Sequence, residues 1–138
     1  MELIERTYLP VQRIFYEGEV FTAHVIVSNL IRSAKESIVL LDNDVDESVL
    51  LTLSERSTGA SAEIITNRIS PQLRQKINEH NEQFEEIHVH ESDRLDDCFL
   101  IIDNDVYRIG PPLKDLGKKM SVFYKMEIKK EEMLKKLQ

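Results

Sequence analysis

The residues best equipped for chemistry fall in one stretch. His88 and His90 stand two apart, and Glu91, Asp93, Asp96, Asp97 and the thiol of Cys98 follow closely. Two imidazoles on one face of a strand, with carboxylates on the next loop, form a donor set suited to zinc or manganese. The plainer reading is the exposed face of a half-buried strand followed by a solvated acidic loop, and on that reading no metal and no other cofactor is expected. Cys98 is a poor candidate nucleophile, because Asp96, Asp97 and Asp103 lie near it in sequence and would suppress the thiolate. It is expected instead as a small apolar strand residue. Asp42-Asn43-Asp44-Val45-Asp46 has the spaced oxygen donors of a calcium loop but lacks that motif's glycine and distal glutamate. It reads as the loop leaving a parallel strand, where α/β folds open their ligand crevice.

These residues need elements to hold them. Pro10 ends an N-terminal arm over residues 1–10, and Val11 to Tyr16 reads as a strand. From Val20 to Lys35 the apolar positions Ala23, Ile26, Val27, Leu30, Ile31 and Ala34 recur at steps of three and four, which predicts one face of a helix and leaves His24 off the stripe. Ser37 to Leu41 is an unbroken β-branched and aliphatic run, expected as a strand buried on both faces at the centre of the sheet. Asp46 caps a short helix through Leu53, Gly59 turns the chain into a strand at Ala62 to Thr66, and Ser70-Pro71 opens a helix to about Gln83. Glu86 to His90 alternates as a half-buried strand. Cys98 to Ile102 and Val106 to Ile109 read as a hairpin turning at Asn104-Asp105, stopped by Pro111-Pro112. Leu113 to Lys118 is expected as one helical turn, Ser121 to Lys125 as a strand, and residues 127–138 as a C-terminal amphipathic helix with Glu131/Lys135 and Glu132/Lys136 pairs. The whole predicts an α/β fold, a mixed β-sheet flanked by helices in one domain over residues 1–138.

The bulk properties narrow the function classes. A chain of 138 residues can close one core unaided, and its single cysteine leaves no intramolecular disulfide and no all-cysteine zinc site. That suits a reducing cytoplasm. No apolar run approaches the roughly 18 residues of a membrane span, and the acidic start Met1-Glu2-Leu3-Ile4-Glu5 lacks the basic region of a signal peptide, so neither export nor membrane insertion is expected. Of the net charge of -7, the segment from Lys114 onward holds eight lysines against four carboxylates, so the body is strongly acidic and the tail basic. Only that tail, through Lys129, Lys130, Lys135 and Lys136, has the charge to contact nucleic acid.

Two segments go further, SIVLLDNDVDESVLL from Ser37 and FLIIDNDVYRIGPPLKDLGKKMSVFYKM from Phe99. Together they resemble small phospholipase-D-like domains of bacterial and mobile-element proteins, over nearly the whole stretch from Ile14 to Met126. The most specific part is the hairpin ending in Ile109-Gly110 with Leu113 to Lys119 after it. In that family a strand carries a histidine, a basic residue two positions on and an aspartate five further, and a Gly-x-Ser follows the hairpin. The resemblance implies a histidine that attacks phosphorus, a cation that holds the phosphate oxygens, two such motifs often drawn from two chains, and no metal.

On this sequence the histidine position falls on Asp96, the basic position on Cys98, the aspartate on Asp103, the glycine on Gly110 and the serine on Pro112. Asp103, Gly110 and Lys114 remain of the pattern. Asp96 brings a negative charge to the place where an anion must approach, Cys98 offers no cation, and Pro112 has neither hydroxyl nor amide hydrogen. The expectation is a catalytically silent domain kept as a binding or assembly module, homodimeric as the resemblance implies. The alternatives are an altered or metal-dependent nuclease using His88, His90 and the acidic loop, and a nucleic-acid-binding module working through the lysine tail.

Overall fold

The fold was obtained as a computed structural model that describes residues 12–137. The expected N-terminal arm and the start of its strand at Val11 lie outside the described residues. Seven strands form one mixed sheet in the order β1-β7-β6-β5-β2-β3-β4. They are β1 Gln12–Phe15, β2 Ser37–Leu41, β3 Ser61–Thr66, β4 Ile87–Glu91, β5 Cys98–Ile102, β6 Asp105–Gly110 and β7 Ser121–Met126. Strands β2, β3 and β4 run parallel, whereas β5, β6, β7 and β1 pair antiparallel. The chain therefore has the α/β architecture that the alternating pattern predicted. Strand β2 lies inside the sheet but one place from its middle, because the antiparallel β5 inserts beside it and takes the centre.

Helices α1 (Val20–Ser33), α2 (Glu47–Leu53) and α3 (Pro71–Gln83) cover one face. The predicted stripe of α1 is buried through Ala23, Ile26, Val27, Leu30 and Ile31. At the start of α2 the Asp46 carboxylate accepts the Ser48 N–H at 3.0 Å, and at the start of α3 the Ser70 hydroxyl accepts the Leu73 N–H at 3.1 Å. Both caps satisfy amide groups that the first helical turn leaves unpaired. Period-two alternation then splits β2, with Ile38 and Leu40 in the core under these helices and Val39 and Leu41 in a second cluster on the opposite face.

That second cluster is closed by the tail. Helix α4 spans Lys130–Lys135 and not residues 127–138, since Lys129 is extended at ψ 147°. It is also less solvated than expected. Ile128, Met133, Leu134 and Leu137 pack on the cluster around Val39, Ile101 and Val106. The Lys130 ammonium donates to the Ser37 hydroxyl at 2.8 Å, and the two predicted glutamate–lysine pairs do not form.

Two further corrections concern the hairpin region. Asp105 already pairs with Ile102, so the turn is Asp103-Asn104, with Asp103 in the left-handed conformation at φ 55°. After β6 the single helical turn is a short 3-10 turn over Leu113–Asp115. Gly117 anchors the next loop at φ 86°, and a Cβ there would lie 2.6 Å from the Glu19 carbonyl oxygen at the start of α1. Among the described residues no helix is long and apolar enough to cross a membrane.

Candidate functional site, an acidic cleft at the strand ends

The C-terminal end of β2, the start of β5 and the end of β6 meet at one edge of the molecule. A cleft of about 100 Å³ opens there between Asp42, Asn43 and Asp44 on one side and Asp96, Asp97, Cys98, Gly110 and Pro112 on the other. The loop after β2 thus lines a crevice, as the sequence predicted. Of the six positions singled out through the resemblance, Asp96, Cys98, Gly110 and Pro112 come together in this cleft. Lys114 stands beside it, with its ammonium 2.9 Å from the Asp44 carboxylate.

Asp103 does not join them. It lies five residues along the chain from Cys98, roughly 17 Å away at the far end of β5. There its Oδ1 accepts the amide N–H groups of Glu36 at 2.7 Å and Ser37 at 3.1 Å, and both carboxylate oxygens accept Lys35 N–H at 3.2 Å. Its role is to fasten the entry of β2 to the β5–β6 turn. Asp96 is also displaced from expectation. Strand β5 begins at Cys98, so Asp96 is an exposed loop residue and does not share a strand face with the thiol.

His88 and His90 stay apart from the cleft. They project from the opposite sheet face to Cys98, and along the paired row His90, Ile65, Leu41, Phe99 the separation is three strand spacings, about 14 Å. His90 Nε2 lies 2.8 Å from Glu63 Oε2, and His88 Nε2 lies 3.7 Å from Glu86 Oε1. The metal-gathering arrangement is therefore not formed, and among the described residues no group of three or more histidine, cysteine or carboxylate side chains is placed to hold a metal ion. The physical reason is register. Alternation puts both imidazoles on the solvent side of an outer strand, and the acidic loop turns toward β2.

Asp42 is the residue that sequence reading undervalued. Its side chain is fully buried and accepts the Leu113 N–H and the Asp44 N–H, each at 2.9 Å, as well as the Cys98 thiol. Burial raises its pKa, an effect that the two amide donors and the thiol oppose. A signal was available, because Asp42 stands two residues after the inward-facing Leu40 and continues that strand's core face. Cys98 is held as an inert thiol. Burial pushes its pKa far up, and the Asp42 charge adds to the rise. The suppression was foreseen, but its sources are burial, Asp42 and Asp97, and Asp103 is too distant to contribute. Asp97 is itself bound to Arg108, Nε to Oδ2, at 2.7 Å. Lys114 and Arg108 are thus engaged by the cleft residues Asp44 and Asp97.

Asn43 fixes the cleft walls relative to each other. Its side-chain amide donates to the Leu95 carbonyl at 2.7 Å, and its oxygen accepts the Asn67 N–H at 2.8 Å. One side chain thereby ties the loops after β2, β3 and β4 together.

No family model matches this chain, and no curated protein sequence does either. Solved structures do. NucT from Helicobacter pylori superposes with a TM-score of 0.62 at 16% identity, covering 91% of this chain and 89% of that one. TrmBL2, an archaeal chromatin protein whose structure shows a novel mode of DNA binding, superposes with a TM-score of 0.53, also at 16% identity. That match covers 86% of this chain and 47% of TrmBL2, so the chain spans about half the length of that protein. At these identities what is shared is the fold.

Proposed function

We propose that residues 1–138 form one phospholipase-D-like domain that does not cleave phosphodiesters and acts as a binding or assembly module. The observation that carries this reading is the chemistry of the cleft. An arriving phosphodiester anion meets the exposed Asp96 carboxylate, and Lys114 and Arg108 are already paired with the cleft residues Asp44 and Asp97. The Asp42 carboxylate also occupies amide donors, those of Leu113 and Asp44, that a phosphate oxygen would need. Cys98, the cleft's thiol, is buried and held protonated, so it does not serve as nucleophile. Like the relatives implied by the resemblance, the domain pairs with a second copy. The expected outcome is no turnover of bis(p-nitrophenyl) phosphate or of single- or double-stranded DNA, with a two-chain species in sedimentation. Cleavage that Asp96→Ala abolished would sink the silent reading.

A second reading, association with nucleic acid, draws on the tail. Lys129, Lys135 and Lys136 are solvent-exposed, and Lys130 is half-buried against Ser37. One of the superposing proteins binds DNA by its own description, and in this chain only the tail has the positive charge for phosphate contact.

A further inference from the structure

The sheet ends in two outer strands, and they are not alike. The edge of β4 is closed at its start, where the Asn81 side chain accepts the Ile87 N–H and donates to the Ile87 carbonyl, each at 3.1 Å. Strand β1 has no such cap among the described residues, and β7 is the strand it pairs with. An open strand edge presents a row of backbone N–H and C=O groups that another strand completes. The side chains add to this. Ile14 and Val122 form a cross-strand pair on the sheet face away from the helices, and they are 46% and 48% exposed. Tyr16 and Met120, one position beyond the two strands, are 58% and 69% exposed. The group that completes this edge is therefore a strand, with an apolar side chain beside Ile14.

A second copy of β1 meets that requirement in one register. A two-fold axis perpendicular to the sheet keeps each face on its own side, so alternation allows a residue to pair only with one an even number of positions away. Of the two central choices, one sets Arg13 directly against Arg13, like charge on like charge. The other sets Ile14 against Ile14 and brings each Arg13 to the Phe15 of the other copy, as its guanidinium already lies 5.1 Å from its own Phe15 ring. Val122, Ile14, Ile14 and Val122 then form one apolar row across the axis. The cleft offers no such match, because a two-fold there turns the exposed Asp96 toward its own copy. We propose that two copies of this chain join edge to edge along β1, in antiparallel pairing centred on Ile14. The inference rests on the pairing proposed above and assigns it a surface. From β5 to β5 the two clefts then lie seven strand spacings, roughly 34 Å, apart, so no composite site forms between them.

Sedimentation velocity over a concentration series tests this on wild type, Ile14→Lys, Ile14→Glu and an equimolar mixture of the two variants. Wild type forms a dimer that dissociates on dilution, because a short ladder makes a small interface. Each variant alone associates about tenfold or more weakly, since like charges meet on the axis, and the mixture regains a dimer of one chain of each kind. Val89→Lys, on the edge of β4, leaves association unchanged. Circular dichroism melting shows which variants fold, and Ile14→Gln, which weakens association without adding charge, replaces a charged variant that does not. A wild type that stays monomeric throughout overturns the pairing and this inference with it. A dimer that the folded Ile14 variants leave intact, or a mixture that stays monomeric beside a dimeric wild type, overturns the β1 edge alone and leaves the pairing standing.

Discussion

Asp42 is a carboxylate whose partners are two amide N–H groups and a thiol, not a cation. Burial outweighs those donors, so the folded chain holds its proton more tightly than the unfolded chain does. Stability from this group is therefore present at acid pH and is lost as pH rises from the ordinary value of 3.8 through the higher folded value. Asp42→Asn cannot titrate and points an amide toward one of the donors, so it is the less stable protein at about pH 4. The gap to wild type shrinks as pH rises toward about 7, read as urea midpoints at each pH. A gap independent of pH would mean that burial does not control this carboxylate. Asp103 teaches the complementary lesson. It matches the phospholipase-D-like pattern, yet its carboxylate works on backbone amides at the other end of β5. A residue that fits a motif can serve the scaffold alone.

Among the elements, the loop from Pro111 to Met120 lines the cleft with Pro112 and holds its carboxylates, the Leu113 N–H binding Asp42 and the Lys114 ammonium binding Asp44. It is pinned to the start of α1 at Gly117, whose carbonyl accepts the Gly18 N–H at 3.1 Å. Gly117→Ala meets two penalties there, a left-handed backbone costing about 1–2 kcal/mol and a Cβ overlapping the Glu19 carbonyl costing about 1–3 kcal/mol. Gly59 also has positive φ, at 96°, but nothing lies within 4 Å of its Cβ position. Gly59→Ala is thus expected to lose only about 1–2 kcal/mol and Gly117→Ala clearly more, by comparison of denaturant midpoints. Equal losses would mean that the loop shifts freely away from α1. The glycine in Leu-Gly-Lys-Lys was visible in the sequence as part of the most specific string. Its reason was not, because the atom it must avoid lies 98 positions earlier in the chain.

At the scale of the whole molecule, charge is separated between an acidic body and a basic tail. Helix α4 is held by its apolar side on the second core cluster, which turns most of its lysines outward. If the tail contacts duplex DNA, binding weakens steeply with salt. Replacing Lys129, Lys130, Lys135 and Lys136 by alanine then flattens the log–log salt dependence by about 0.9 for each phosphate contact removed, measured by anisotropy. A slope unchanged by the four substitutions would locate the contact elsewhere.

Much of the architecture is local physics, which is why it was legible. The α1 stripe, the buried run of β2, the caps Asp46 and Ser70 and the alternation of β4 each depend on residues a few positions apart, where periodicity and turn chemistry decide. The same reading proposed vacancies at Asp96, Cys98 and Pro112, as departures in side-chain type from the pattern that the resemblance supplied. Tertiary structure alone decided that β5 would insert beside β2, that Asp103 would sit roughly 17 Å from the cleft, and that His88 and His90 would face away from it. It alone joined Asp42 to Leu113 across 71 positions of chain. Strand order and side-chain convergence are set by which surfaces bury together, a property of the packed whole that no window of sequence contains.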